Sequence, residues 1–372
     1  PLYSSAASDV YKRQYDRLRD VRLCYVGRRW LAAREIAGTC VRYRYDTEGQ
    51  LTAIVDERGT GHSIERDPVG RIHAEVTLDG KRKIYGRDAA GRVVFTIHHD
   101  GSRSTFEHDP MGRRTKASHA DGTVETYGYD RAGRLLEASN EHAHLTFERD
   151  ALGRLVVERS ERTNTPHEDR RTIVVESRRD HRGQRVGLRS SLGAAVTIER
   201  DEVGDVARLA QRGATRPWEA RFSRDRLGLE VERALPGAAR SCWWRDGLGL
   251  PTQHVVGREG DPVRARRHVW EPGNRLRAII EHGDELEYEH DARGALVRAT
   301  AQGGEVEGRF PDEVGNLFAT KQRDDREYGL AGELRRVPGA GVELDYDGLG
   351  HLSHKRGASG DTWGYHWNGA DR

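Results

Sequence analysis

The strongest constraint on this chain is a phrase written twice between Arg92 and Gly133. Each copy opens on Gly-Arg and runs through a mostly apolar stretch to Asp-Gly (Asp100-Gly101, then Asp121-Gly122). An aromatic follows three places before an Asp (Phe106 before Asp109, Tyr127 before Asp130), and Asp-x-x-Gly closes the unit at Gly112 and Gly133. Asp109 and Asp130 stand 21 residues apart. A fixed period of this size decides architecture before length or composition does.

The same register extends in both directions. The marker Asp falls at 46, 67, 88, 109, 130 and 150, and its Gly at 49, 70, 91, 112, 133 and 153. Arg follows that Gly at 71, 92, 113, 134 and 154. Three places before each Asp stand Tyr43, Ile64, Tyr85, Phe106, Tyr127 and Phe147. After a longer interval holding residues 161–171, read as an exposed inserted loop, the marker returns at Asp180, Asp201, Asp225 and Asp246. It continues, eroded, at Glu271, Asp291, Asp312, Gly329, Asp347 and Asn368.

Each unit reads as two strands and two turns. Val93, Phe95 and Ile97 alternate with polar neighbours at period two, as a half-buried strand requires. Asp-Gly suggests a two-residue type I′ hairpin turn, whose central residues need positive φ. In Asp109-Pro110-Met111-Gly112 the Asp side chain can accept backbone N–H groups, Pro presets φ and Gly takes the left-handed position. Frequent Gly and β-branching exclude helices. The expected fold is therefore all-β, a long antiparallel ribbon of about fifteen hairpin units. Open sheets beyond about ten strands curl, split or close. A ribbon of roughly thirty strands cannot fill its own middle, so it must line a cavity or spiral as a shell.

Composition supports a hollow build. Only 35% of the 372 residues are hydrophobic, and the mean hydropathy is -0.83. Gly numbers 43, as many tight turns demand. Of 62 basic residues 56 are Arg, yet 60 acidic residues offset them, the net charge is +2 and the signs are interspersed. That pattern suits paired charges on exposed strand faces and gives no electrostatic footprint for nucleic acid. Cys24, Cys40 and Cys242 follow no disulfide or zinc spacing and read as free thiols. The sequence holds neither an apolar run long enough for a membrane helix nor a secretory signal.

The domain reading has three parts. Residues 1–14 share nothing with the repeat and are read as a non-native or disordered leader, 15–40 as a degenerate repeat, and 41–372 as the repeat region, truncated at both ends. The single Met, Met111, and the marker begun at Asn368 suggest a piece of a longer protein. Such a piece would carry unpaired edge strands, an aggregation liability.

Several side chains are of types that carry chemistry. His142 and His144 share a strand face, His98-His99 and the pair His351 and His354 lie near turns, and Glu285, Glu287 and Glu289 line one strand face. Surface histidines and a solvated acidic face account for them. Trp243, Trp244, Trp363 and Trp367 could stack on sugars, but their phase fits structural packing. No GxSxG, P-loop or helix-opening GxGxxG occurs. The reading assigns no catalytic, metal-binding or cofactor-binding residue, and the chain is read as not an enzyme and as needing no cofactor.

The stretches YDRAGRLL (129–136), FERDALGRLV (147–156), RDAAGRVV (87–94) and YDTEGQLT (45–52) resemble the Rhs/YD-repeat family over roughly residues 41–372. One departure is that the Tyr before Asp is often Arg or His, as at Arg66, Arg87, His108, Arg149, Arg200 and His290. The resemblance implies a hairpin ribbon spiralling into a hollow cocoon. In bacterial Rhs proteins and the C components of insecticidal toxin complexes such shells enclose a C-terminal toxin domain. Related repeats form the shell of teneurin adhesion receptors. A polymorphic-toxin shell would be secreted, commonly by a type VI route in interbacterial competition, with a spike or adaptor as a further partner. Neither the family's self-cleavage segment nor an N-terminal adaptor is visible in these residues. The alternative is a cell-surface adhesion or carbohydrate-binding repeat protein, with ligands on loops such as 161–171.

Overall fold

The computed structural model describes residues 10–12, 21–27, 30–162, 172–213, 217–301, 304 and 306–370. Among them 35 strands and no α-helix occur. The first 28, from Val10–Lys12 to Val306–Gly308, make one antiparallel sheet in which each strand pairs with its sequence neighbours. This is the all-β hairpin ribbon that the 21-residue period demands, and its two end strands do not pair with each other among the described residues. Most of the 1–14 leader and of the inserted loop at 161–171 lies outside the described residues, and Glu161 and Arg162 belong to the strand Leu155–Arg162.

The ribbon is not continuous to its end. Phe310–Pro311 with Leu317–Phe318 forms a separate hairpin, and five strands from Glu327–Tyr328 to Thr362–Gly364 form a further sheet. Between them residues 319–326 leave strand geometry. There the Asp325 carboxylate accepts the N–H groups of Ala319 and Thr320 at 2.9 and 3.1 Å, satisfying locally what a ladder would otherwise satisfy.

The Asp-Gly turn differs from its expected form. Gly101 has φ 83°, but Asp100 keeps negative φ, so the turn is not type I′. It spans four residues, with Gly101 N–H donating to His98 C=O and His98 N–H donating to Ser102 C=O, both 2.9 Å. Asp-x-x-Gly closes identically, with Gly112 N–H to Asp109 C=O and Asp109 N–H to Arg113 C=O. Both rims thus use a type I turn followed by a left-handed Gly bulge. True I′ geometry, two successive positive φ values, appears at Ala37-Gly38 and His282-Gly283.

One sheet layer leaves nothing to form a core. The buried apolar residues among those described are Val55, Phe318 and six alanines. Arg and Glu instead pair across strands, as in Arg82–Glu65, Arg159–Glu148 and Arg208 between Glu199 and Glu219. Rings lie over small residues: Phe95 covers Gly86, and the Arg103 guanidinium sits 4.2 Å above Phe95.

These packing facts separate two kinds of glycine. A Cβ on Gly101 would meet nothing within 4 Å, so Gly101→Ala costs only its backbone strain, about 1 kcal/mol. Gly86→Ala drives Phe95 off its seat and costs about 2 kcal/mol. Urea unfolding of both variants tests this, and adding Phe95→Ala to Gly86→Ala should recover part of the loss.

Candidate functional site at the rims and the seam

Asp-x-x-Gly builds a clamp at one rim. Asp130 Oδ1 accepts the N–H groups of Ala132 and Arg134 at 2.9 and 2.8 Å, and Oδ2 accepts Arg134 Nε at 2.6 Å. Arg71, Arg92, Arg113 and Arg154 hold Asp67, Asp88, Asp109 and Asp150 through Nε in the same way. The guanidinium also reaches forward. Arg92 Nη1 donates to Asp109 C=O at 3.0 Å and Arg113 Nη1 to Asp130 C=O at 2.9 Å, tying each turn to the next.

At many markers the residue immediately before the Asp ties turns backward. Tyr45 and Tyr129 hydroxyls donate to the C=O of Leu31 and Arg114, both at 2.9 Å. Where Arg replaces Tyr, it does more. Arg66 donates to Leu51 C=O at 3.3 Å and to Gly70 C=O at 3.1 Å, and Arg87 to Ile72 C=O and Gly91 C=O. Trp270 and Trp367 do the same through Nε1, each at 2.7 Å, to Pro251 and Leu352 C=O. Tyr, Arg and Trp all carry a donor that reaches the preceding turn's carbonyl, which accounts for Arg in place of Tyr at positions such as Arg66 and Arg87.

The two rims meet. Arg58, on an Asp-Gly-type turn, pairs with Asp312 and lies 3.5 Å from Glu313. Asp312 is 8% exposed and also accepts the N–H groups of Val314 and Asn316. Further along, Asp121 Oδ2 accepts Gly369 N–H at 2.6 Å, and a Cβ on Gly348 would lie 3.2 Å from Asp100 Cβ. The partners are 254 and 248 residues apart, so one winding takes about a dozen repeats. An open cleft of about 510 Å³ follows the seam, with Tyr85, Phe106 and His119 from the earlier winding facing Leu349, His351 and Trp367 from the later one. Nothing in the sequence pattern signals this seam.

Several of the residues singled out for chemistry have side-chain partners. His142 pairs with Glu141 at the surface, Glu289 pairs with Arg298, and His351 lies 3.3 Å from Asp347 and stacks on Trp367. His354 contacts Ser353, and His98 closes a turn. Trp243 stacks on His254 at 3.6 Å, and Trp363 lies beneath Lys355. Burial, with nearby positive charge second, pushes His254 and His268 below the usual imidazole range. Cys24, Cys40 and Cys242 are free thiols. Among the described residues no group of three or more His, Cys, Asp or Glu is placed to hold a metal ion, and no helix is long and apolar enough to cross a membrane.

The clamp carboxylates are acidified. At Asp130 and Asp150 the backbone N–H of Arg134 and Arg154 is the largest influence; it outweighs partial desolvation, the guanidinium adds to it, and both carboxyls sit below the usual range. At Asp67, Asp88 and Asp109 desolvation is largest and pushes upward, but the combined N–H and guanidinium contacts override it.

The family model for the RHS repeat matches residues 88–124. No curated protein matches the chain. Among solved structures, the chain is similar to one of TcdB2-TccC3, with TM-score 0.71 and 12% identity over 95% of this chain and 24% of that one. A Photorhabdus luminescens Tc holotoxin pore gives TM-score 0.70 and 12% identity over 94% of this chain and 22% of its own. The chain spans about a quarter of the length of these chains. The Rhs/YD-repeat resemblance drawn from the sequence stands, and the fold is that of these toxin-complex chains.

Two outcomes follow. A carboxyl whose folded pKa lies below its unfolded value of about 3.9 adds stability that is complete above that value and lost as pH falls through the folded pKa. The melting temperature should therefore hold from neutral pH to about pH 5 and fall below about pH 4, with Asp130→Asn lower at neutral pH and flatter in acid. Separately, Arg58→Ala leaves Asp312 without its cation and weakens the seam by about 2 kcal/mol, read as faster proteolysis within 319–326.

Proposed function

We propose that this chain, bearing the RHS repeat and folding like the TcdB2-TccC3 chains, is a wall segment of an Rhs/YD-type toxin shell. The shell encloses a C-terminal effector domain of the parent protein and carries it out of the producing cell to another, in competition between bacteria. Export by a type VI-like or contact-dependent route, through a spike or adaptor partner, belongs to the same reading. The wall contributes enclosure and leaves the chemistry to its cargo.

The seam is the observation that carries this reading. A single-layer sheet without a core has no reason to return on itself after about 250 residues except to continue a wall. About two dozen strands at ~4.8 Å spacing give a perimeter of ~115 Å, or ~37 Å across if circular. Side chains of ~5 Å on each inner wall leave a bore of ~27 Å, enough for successive windings to surround an extended or partly unfolded chain. Clamped rims and cross-strand ion pairs hold such a wall without burying either face, which leaves an inner surface able to remain polar toward a cargo.

The test uses the full-length protein with its C-terminal domain. That domain should resist protease in the intact protein at concentrations that digest it when expressed alone, and Arg58→Ala should shorten the protection. Digestion of the domain at the same rate in both settings sinks the enclosure.

A further inference from the structure

One strand face carries cations that the ribbon itself does not use. Arg208 on this face spends its guanidinium on Glu199 and Glu219. Beside it Arg178, Arg189 and Arg212 are exposed, and none has a hydrogen bond or ion pair among the described residues. Single exposed arginines are ordinary. These three line one open cleft of about 620 Å³.

Strand register brings them together. Cross-strand pairing sets Glu176, Arg189, Ala195 and Arg212 in one row, and Arg178, Gly187, Thr197 and Ala210 in the next. Arg189 and Arg212 therefore stand two strands apart, ~9.6 Å at the usual spacing, with only the methyl of Ala195 between them. Two guanidinium forks on long stems reach over it from either side. Arg178 lies across Gly187: a Cβ built there would be 3.5 Å from Arg178 Nε. Gly187 is buried mid-strand and has no positive φ, so turn chemistry does not call for a glycine there. A strand glycine of this kind marks close approach by another group. The small residues at 187, 195 and 210 leave a floor, and Thr197 adds a hydroxyl.

We propose that this cleft binds a phosphate group, either the free ion or a monoester on a larger body. Charge and valence single it out. Three guanidiniums against the one carboxylate of the cleft, Glu176, leave two positive charges unneutralised. A phosphate group brings about −1.5 to −2 at pH 7 and three acceptor oxygens. A carboxylate brings one charge and two oxygens, which a single guanidinium fork already satisfies. Glu176 stands on the far side of Arg189 from Ala195, so it steadies that arginine without facing the ligand. The cleft is far larger than one oxyanion, which leaves room for the body of a monoester. The site lies on a strand face and does not depend on the shell reading.

Two probes test it on the 372-residue chain: inorganic phosphate and glucose 6-phosphate, each titrated calorimetrically at fixed chloride. Each should show one saturable site. Arg189→Ala with Arg212→Ala should weaken binding at least ~10-fold. Arg189→Lys keeps the charge and loses the fork, and should still weaken it several-fold. Arg277→Ala, an exposed arginine on another strand, should leave it unchanged. Circular dichroism checks that each variant folds, as the exposure of these arginines implies. Tighter binding of glucose 6-phosphate supports a monoester ligand, and equal or tighter inorganic phosphate supports the free ion. Acetate bound as tightly as phosphate, no saturable binding of either probe, or binding unchanged in the double variant would overturn the proposal.

Discussion

The fold depends on one carboxylate per repeat. Asp130 closes its own turn through two backbone N–H groups and Arg134, while its C=O takes Gly133 N–H and the guanidinium of the preceding repeat's Arg113. Charge-assisted bonds of this kind are worth about 1.5–3 kcal/mol each, well above neutral ones. In a globular domain they would add to a core. Here the core is Val55, Phe318 and a scatter of alanines, so the rims carry the specification. Each clamp touches only its neighbours, which makes the ribbon nearly one-dimensional in its energetics.

That dependence explains the overwhelming use of Arg. Where Arg follows the turn Gly, it can hold its own Asp through Nε and reach the next turn through Nη1, as Arg92 and Arg113 do. Before the marker Asp, Arg bridges two carbonyls where Tyr reaches one, as Arg66 and Arg87 do. On the strand faces Arg208 holds Glu199 and Glu219 at once. A lysine ammonium is a compact point charge and cannot present donors in two fixed directions over such distances. The arginines suggest nucleic acid only until their partners are counted.

Much of this was legible in the residues. The 21-residue spacing of Asp46 to Asp130 made the strands and one rim readable, because local turn chemistry repeats faithfully. The other rim was misread at Asp100-Gly101: the dipeptide suits I′, but the turn begins two residues earlier at His98, where no turn-forming residue marks it. A clue lay in Ser102, whose N–H caps on Asp100. The donor column was visible as a departure from Tyr and became intelligible only with the carbonyls in view. The seam was out of reach, because Arg58 and Asp312 are 254 residues apart and neither stands in an unusual context.

The seam also shows how a local device becomes a global one. Asp312 Oδ1 accepts the Val314 and Asn316 N–H groups, and its Oδ2 accepts the Asn316 side-chain amide at 3.0 Å together with the Arg58 guanidinium. At Asp67, Asp88, Asp109, Asp130 and Asp150 the cation on that oxygen is the Arg after the turn Gly. At Asp312 the position holds Asn316, a neutral residue, and the cation arrives from Arg58 in the earlier winding. A neutral amide in place of the in-repeat Arg leaves the charge of Asp312 unneutralised within its own turn, and Arg58 meets that charge across the gap. A wall assembled in this way tolerates drift on both its faces, provided that each rim keeps a carboxylate and a donor long enough to reach it.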